Sequence, residues 1–405
     1  MKRFIGVLAV VVVGSSCAAV RGEAPYVVGA VYPTGGSQGP GGIEEYRGVR
    51  LAAEFANAHG GVNGRRIEIR LEKAERREHA PAAVDRLADD GVDVVLGSYG
   101  STISQPAANA AIRRGLLFWE TGAVGELGMA LSPKAGAFRY PSAGEVLGER
   151  AVAFVDEQLD LDTDLRYAVA YADDVYGRSV GGGALDEIRR RGLSLAADLP
   201  YDLGTVDYGE LVDRIARTHT DVLVVAAYLE DGVALRREIV KRGVPLKVNI
   251  GTSSSYCMRE FGKLLGDDAV GLFASDKPNG ATPDVRDLSP EGAEALRFLR
   301  ATYRERFDDD VTAPVLTGFS AATALFRHVL PDAASDDAEA VATAARRADL
   351  PRGALPDGGG LKFGADGDGA NRRATHVIWE WVAPRQREVV WPPALASHEI
   401  VPPRS

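Results

Sequence analysis

Cysteine is almost missing from this chain: of 405 residues, only Cys17 and Cys257 carry a thiol. That count excludes a disulfide-stapled scaffold and a cysteine-based metal centre, so the chain must stand on its hydrophobic cores. Histidine is nearly as scarce. The six histidines show no HExxH or related ligand spacing, and His59 lies in a glycine-rich turn where solvent is the expected partner. Basic charge is in deficit as well, with 47 Lys plus Arg against 57 Asp plus Glu and a net charge of -10. No stretch concentrates the basic residues. A nucleic-acid partner is thereby excluded, because phosphate binding needs a positive footprint. Catalytic signatures are also missing: there is no GxSxG elbow and no Ser, His and Asp set in a recognisable setting. The adjacent acids Asp173 and Asp174 fall in a loop, a setting for turn formation more than for general acid/base work. No metal, no cofactor and no enzymatic activity is expected.

What the chain does have is room for two cores. Its composition, 45% hydrophobic and 26% charged, is that of ordinary globular proteins, and its length accommodates two domains. The N-terminal segment reads as an export signal. Lys2 and Arg3 precede an apolar run at 4–13, shorter than the ~20 residues a membrane-spanning helix takes. The small residues Gly14, Ser15 and Ser16 then stand directly before Cys17. Small residues before a cysteine resemble a bacterial lipobox, in which the cysteine is lipidated and becomes the first residue of the mature protein. Gly14 departs from the usual leucine, and plain signal cleavage is the simpler reading. The expectation is a signal over 1–17 ending at a lipidated Cys17, then a tether over 18–25.

From residue 26 onward, short apolar runs alternate with amphipathic segments. Strands are predicted at 26–31, 67–71, 92–97 and 116–119, with helices at 45–58, 81–90 and 104–114. The rhythm then restarts, with helices at 145–159, 179–191, 208–218 and 232–242 and strands at 167–171, 222–227 and 248–251. Strands alternating with helices of this length imply parallel sheets covered on both faces. Two such series imply an α/β chain with two doubly wound lobes. A more helical region follows at 291–307, 315–330 and 336–348. A glycine-rich segment at 356–369 leads to a last strand at 376–382, and the proline-rich tail from Ala383 is expected to pack loosely.

Two loops invite a chemical reading. TGGSQGPGG at 34–42 lacks the spacing of either glycine-rich phosphate motif, so it reads as a flexible loop at the mouth of a cleft. GSYGSTISQPA at 97–107 matters more, because it joins a strand end to a helix start. Ser101 and Thr102 place hydroxyls beside the unpaired N–H groups of that first turn, a neutral site suited to a carboxylate. A plain Ser/Thr helix cap is equally open on local sequence.

The stretch YRGVRLAAEFANAHGGVNGRRIEIRL at 46–71 resembles the opening of the branched-chain amino-acid (Leu/Ile/Val)-binding proteins of ABC transporters, which are type I periplasmic binding proteins. Further pieces follow in that family's order: GSYGSTISQPA, TGAVGELG at 121–128, FRYPSAGEVLG at 138–148, DDVYGRS at 173–179 and DDAVGLFAS at 267–275. The resemblance implies two Rossmann-like lobes joined by a three-crossing hinge, a Venus-flytrap that closes on its ligand. Lobe one would hold 26–139 and 282–354, and lobe two 144–272 and 362–400. The crossings would fall near 138–143, 271–281 and 355–365. The implied function is capture of a small polar ligand (amino-acid-like, carboxylate or amide) and its delivery to an ABC permease and ATPase. The protein would act as an exported monomer, anchored by lipid outside the cytoplasmic membrane or free in the periplasm. A surface ligand-sensing module of the same fold is the alternative.

By the same resemblance, Ser101 and Thr102 hold the ligand carboxylate. Gly122 and Ala123 supply backbone contacts, with Tyr99 beside them. Tyr176 and Tyr228 reach the ligand from lobe two, with interlobe packing as their plainer role. The chain departs from the family where a ligand ammonium would be met. A family threonine falls on Val124, an acidic residue of lobe two falls on Ser253, and a bulky aromatic of the first loop falls near Gly41, which leaves space. Glu120, at a strand end, either compensates or forms a surface or hinge salt bridge. A buried ammonium without acceptors is costly. The expected ligand is therefore a small carboxylate, amide or other polar metabolite, and not a standard branched-chain amino acid.

Overall fold

A strand as apolar as YVVGAVY needs cover on both faces, and β1 (Tyr26–Tyr32) has it. In the computed structural model, which describes residues 24–126, 136–161, 164–364 and 367–401, β1 sits inside a parallel sheet. Cys17 and the export segment lie outside the described residues. The chain continues through α1 (Gly39–Ala58), β2 (Ile67–Lys73), α2 (Ala80–Asp89), β3 (Val94–Gly97), α3 (Ser101–Arg113), β4 (Leu117–Glu120) and β5 (Gly136–Arg139). The strand order is β2-β1-β3-β4-β5, and every pair is parallel. One face carries Val28, Leu96, Leu117 and Trp119 under α1; the other carries Val31, Val95 and Phe118 under α2 and α3.

The second series runs α4 (Gly144–Gln158), β6 (Arg166–Ala172), α5 (Val175–Arg191), β7 (Ser194–Tyr201), α6 (Tyr208–Arg217), β8 (Val222–Ala226), α7 (Leu229–Arg242), β9 (Val248–Thr252), α8 (Arg259–Leu265) and β10 (Phe273–Asp276). The chain then returns to the first core with α9 (Pro290–Phe307), α10 (Ala313–Ala324) and α11 (Ala338–Arg347). It crosses back once more for β11 (Val377–Ala383) and β12 (Gln386–Trp391). The second sheet has the order β12-β11-β10-β9-β8-β6-β7, and β11 lies antiparallel to both of its neighbours. The backbone thus passes between the sheets after β5, after β10 and before β11. This is the two-lobed α/β architecture that the strand and helix rhythm implies.

Several boundaries differ from the sequence reading. The glycine-rich loop is half helix: α1 begins at Gly39, with Pro40 in its first turn, where a missing N–H costs nothing. α3 begins at Ser101 and not at 104. The tail past Ala383 does not pack loosely, because β12 pairs with β11 and buries Val389 and Val390. Lobe two does not resume at 362. Phe363 instead packs edge-on against Trp119 and Phe138 at 5.6 and 4.8 Å in the first core. The turn after α1 needs its glycines: Gly61 has φ +65, and a Cβ there would stand 2.0 Å from the Arg65 carbonyl oxygen.

Candidate functional site

In open parallel sheets, the loops after the strands' C-terminal ends face the crevice. Here β3 and β4 deliver Tyr99, Ser101, Gly122 and Ala123 to one wall of a cavity between the lobes, and the second lobe delivers Tyr176 and Ser253 to the other. The free space is about 50 Å³, room for a few water molecules. Thr102 and Tyr228, also expected here, stand outside the lining.

On the first wall, Gly100 makes the turn into α3. Its φ is +85, a left-handed backbone that glycine adopts without strain, and a Cβ there would also displace the end of the Gln38 side chain. Gly100 is also the residue at the cap position of α3, and no side chain caps that helix. Neither Ser101 nor Thr102 plays the capping role, and the two hydroxyls separate. Ser101 Oγ accepts from the Gly125 N–H at 2.9 Å, which leaves its own proton available to the cavity. Thr102 Oγ1 accepts from Gln38 Nε2 at 2.7 Å and borders an outer groove with Gln105 and Glu126.

Glu120 does neither of the jobs foreseen for it. Its carboxyl group is fully buried, hydrogen-bonded to the Ser104 hydroxyl, and accepts from the Gly122 and Ala123 N–H groups at 2.8 and 2.7 Å. The Ala123 N–H also meets the Ser98 carbonyl oxygen at 3.1 Å. Both amides expected to touch a ligand are therefore spent on shaping their own loop. Burial first, and then the nearby Glu45 carboxylate, push the Glu120 pKa up to about 8. Glu45 is itself raised to about 7 by burial, although it accepts from the Thr121 hydroxyl at 2.6 Å.

On the second wall, Asp174 caps α5 by accepting from the Tyr176 and Gly177 N–H groups, each at 2.9 Å. This cap fixes Tyr176, whose hydroxyl lies 2.8 Å from Thr252 Oγ1 and accepts from the Ser254 N–H at 3.3 Å. Burial holds that phenol protonated, well above its ordinary range. Tyr228 backs it, with ring centroids 5.1 Å apart, and donates its hydroxyl proton to Asp174 Oδ2 at 2.7 Å. Val124 joins the same apolar cluster.

The charged part of the lining was not foreseen. Asp276 and Lys277, at the end of β10, and Arg387, on β12, all face the cavity. Lys277 Nζ donates to the Gly122 carbonyl oxygen at 3.0 Å, which bridges the lobes. Arg387 lies over the Trp379 and Trp381 rings at 5.0 and 5.8 Å. At the mouth, Arg259 of α8 pairs with Asp309 of the first lobe through both guanidinium nitrogens at 2.8 and 3.1 Å. Glu44 accepts from the Thr312 hydroxyl at 2.8 Å. The space expected at Gly41 is filled by the Tyr99 ring, since a Cβ there would stand 2.2 Å from Tyr99 Cζ. A signal for the charged set did exist: Asp276 and Lys277 stand directly after the apolar run that ends in FAS.

Comparison with known proteins agrees with this geometry. A family model described as periplasmic binding protein matches residues 25–379. The Leu/Ile/Val-binding protein homolog 8 of Brucella suis is 27% identical over 376 residues, covering 91% of each chain. Among solved structures, the branched-chain amino acid transporter substrate binding protein of Streptococcus pneumoniae, in complex with isoleucine, superposes with a TM-score of 0.72 at 18% identity over 91% of this chain and 100% of that one. A leucine binding protein from Thermotoga maritima gives 0.75 at 16% identity, over 90% and 97% of the two chains.

Proposed function

The chain belongs to the periplasmic binding protein family, and on that footing we propose that it captures a small, polar, amino-acid-like solute between its lobes and hands it to an ABC permease driven by its ATPase. The family is one of binding proteins, and the observation that carries the reading is the shared cavity. Two separate sheets aim their strand ends at one shared space, with the Ser101 hydroxyl on one wall and the Tyr176 ring on the other. A space of about 50 Å³ admits a solute only if the lobes part, so entry and closure are coupled. The relatives that carry Leu/Ile/Val-binding names support an amino-acid-like solute. Among the described residues, no helix is long and apolar enough to cross a membrane. An exported monomer held outside the cytoplasmic membrane by lipid on Cys17 fits that role.

Mass spectrometry of small molecules released from the purified, denatured protein tests the reading. One amino-acid-like compound near one copy per chain, rebinding to stripped protein, is the expected result. Failure of stripped protein to bind any amino acid, small carboxylate or amide at millimolar concentration would remove it.

A further inference from the structure

We infer that Asp276 is a ligand-reading residue of the cleft, placed to receive an ammonium group of the solute. The inference rests on the cleft being the solute site and names a residue that the sequence resemblance did not select. Asp276 is the last residue of β10, at the strand end that faces the crevice. It is 2% exposed and lines the cavity together with Ser101 and Tyr176.

The other buried and half-buried acids around the cleft are occupied, and Glu260, which also lines the cavity, is exposed to solvent. Glu120 and Glu45 hold the loop at 121–123, Asp174 caps α5 and takes the Tyr228 proton, and Glu44 takes the Thr312 proton. Asp276 Oδ1 is the one buried carboxylate oxygen without a hydrogen-bond partner among the described residues. Its neighbouring cations do not supply one. Lys277 Nζ is 3.9 Å from that oxygen, beyond hydrogen-bond reach, and is committed to the Gly122 carbonyl oxygen. Arg387 is held over two indole rings, and its Nη1, itself without a hydrogen-bond partner, donates nothing to that oxygen. A buried carboxylate with an unused oxygen is costly unless a donor meets it, and an ammonium brings both donors and compensating charge. The Ser101 hydroxyl on the opposite wall suits the anionic end of the same molecule. The cleft as a whole therefore matches a solute carrying both charges, and the acid missing at Ser253 is supplied from the hinge strand.

The test is calorimetry on ligand-stripped protein with two panels. One contains the twenty standard L-amino acids; the other contains their 2-hydroxy-acid counterparts with simple carboxylates and amides. Wild type should bind at least one amino acid and prefer it to its hydroxy acid by about tenfold or more. Asp276→Asn should erase most of that preference, and Asp276→Ser carries the same ratio should the amide variant not fold. An undiminished amine preference in the variant overturns the inference. So does wild type that binds only members of the second panel, although the cleft reading then stands. Binding of neither panel removes the cleft reading as well.

Discussion

Lys277, one residue beyond β10, reaches across the cleft to donate a hydrogen bond to the carbonyl oxygen of Gly122 at 3.0 Å. The second lobe's hinge strand thereby holds the first lobe's loop at 121–123. Both partners are buried, and the loop they join is shaped from behind by Glu120. A hydrogen bond from a charged donor is worth about 1.5 to 3 kcal/mol. Lys277→Met should remove that tie, favour the open arrangement and weaken solute binding by about tenfold or more. Calorimetry on the variant checks it, and unchanged affinity would show that closure does not use this bond.

The two hydroxyls at the start of α3 should behave differently. Ser101→Ala should weaken solute binding by about tenfold, the loss of one hydrogen bond to a charged group. Thr102→Val should leave affinity within about twofold, a change of less than ~0.5 kcal/mol, because that hydroxyl serves Gln38 outside the cavity. Equal losses in the two variants would contradict the division of roles.

Much of this was legible in the sequence, and the reasons for the remainder are physical. Strands buried on both faces, such as β1, β3 and β8, announce themselves as unbroken apolar runs. β10 (Phe273–Asp276) ends in the polar pair Ser275 and Asp276 and so shows no unbroken apolar run, and β12 reads as part of a proline-rich tail until β11 pairs with it. At the site, the loop after β3 was visible as hydroxyls at a strand end. What was hidden depends on contacts between distant segments. Tyr99 fills the space above Gly41, and Glu120 turns back on its own loop. Asp276 becomes a cleft residue only once β10 is seen to end there.

Stability should fall with rising pH because of the buried acids behind the loop. Glu120 keeps its proton in the native state up to about pH 8, whereas the unfolded chain releases it near the ordinary carboxyl value of 4.5. The native state therefore binds more protons between those values, and stability declines as pH climbs through that window. Wild type should melt at a higher temperature at pH 5 than at pH 8. Glu120→Gln should narrow the difference, and an identical difference in the variant would show that the carboxyl is already ionised at pH 5.

Lipidation is tested in cells. Cys17→Ser should move the protein from the membrane fraction to the soluble exported fraction, with the fold intact because Cys17 precedes the first strand. Membrane association that persists in this variant would rule out the Cys17 anchor.

The most direct test of capture between two moving lobes is small-angle X-ray scattering on one preparation, stripped of its solute and then resupplied with the small molecules released from it. Closure predicts a smaller radius of gyration on resupply, reversed when the solute is stripped again. Superimposable curves at saturating solute would contradict the account.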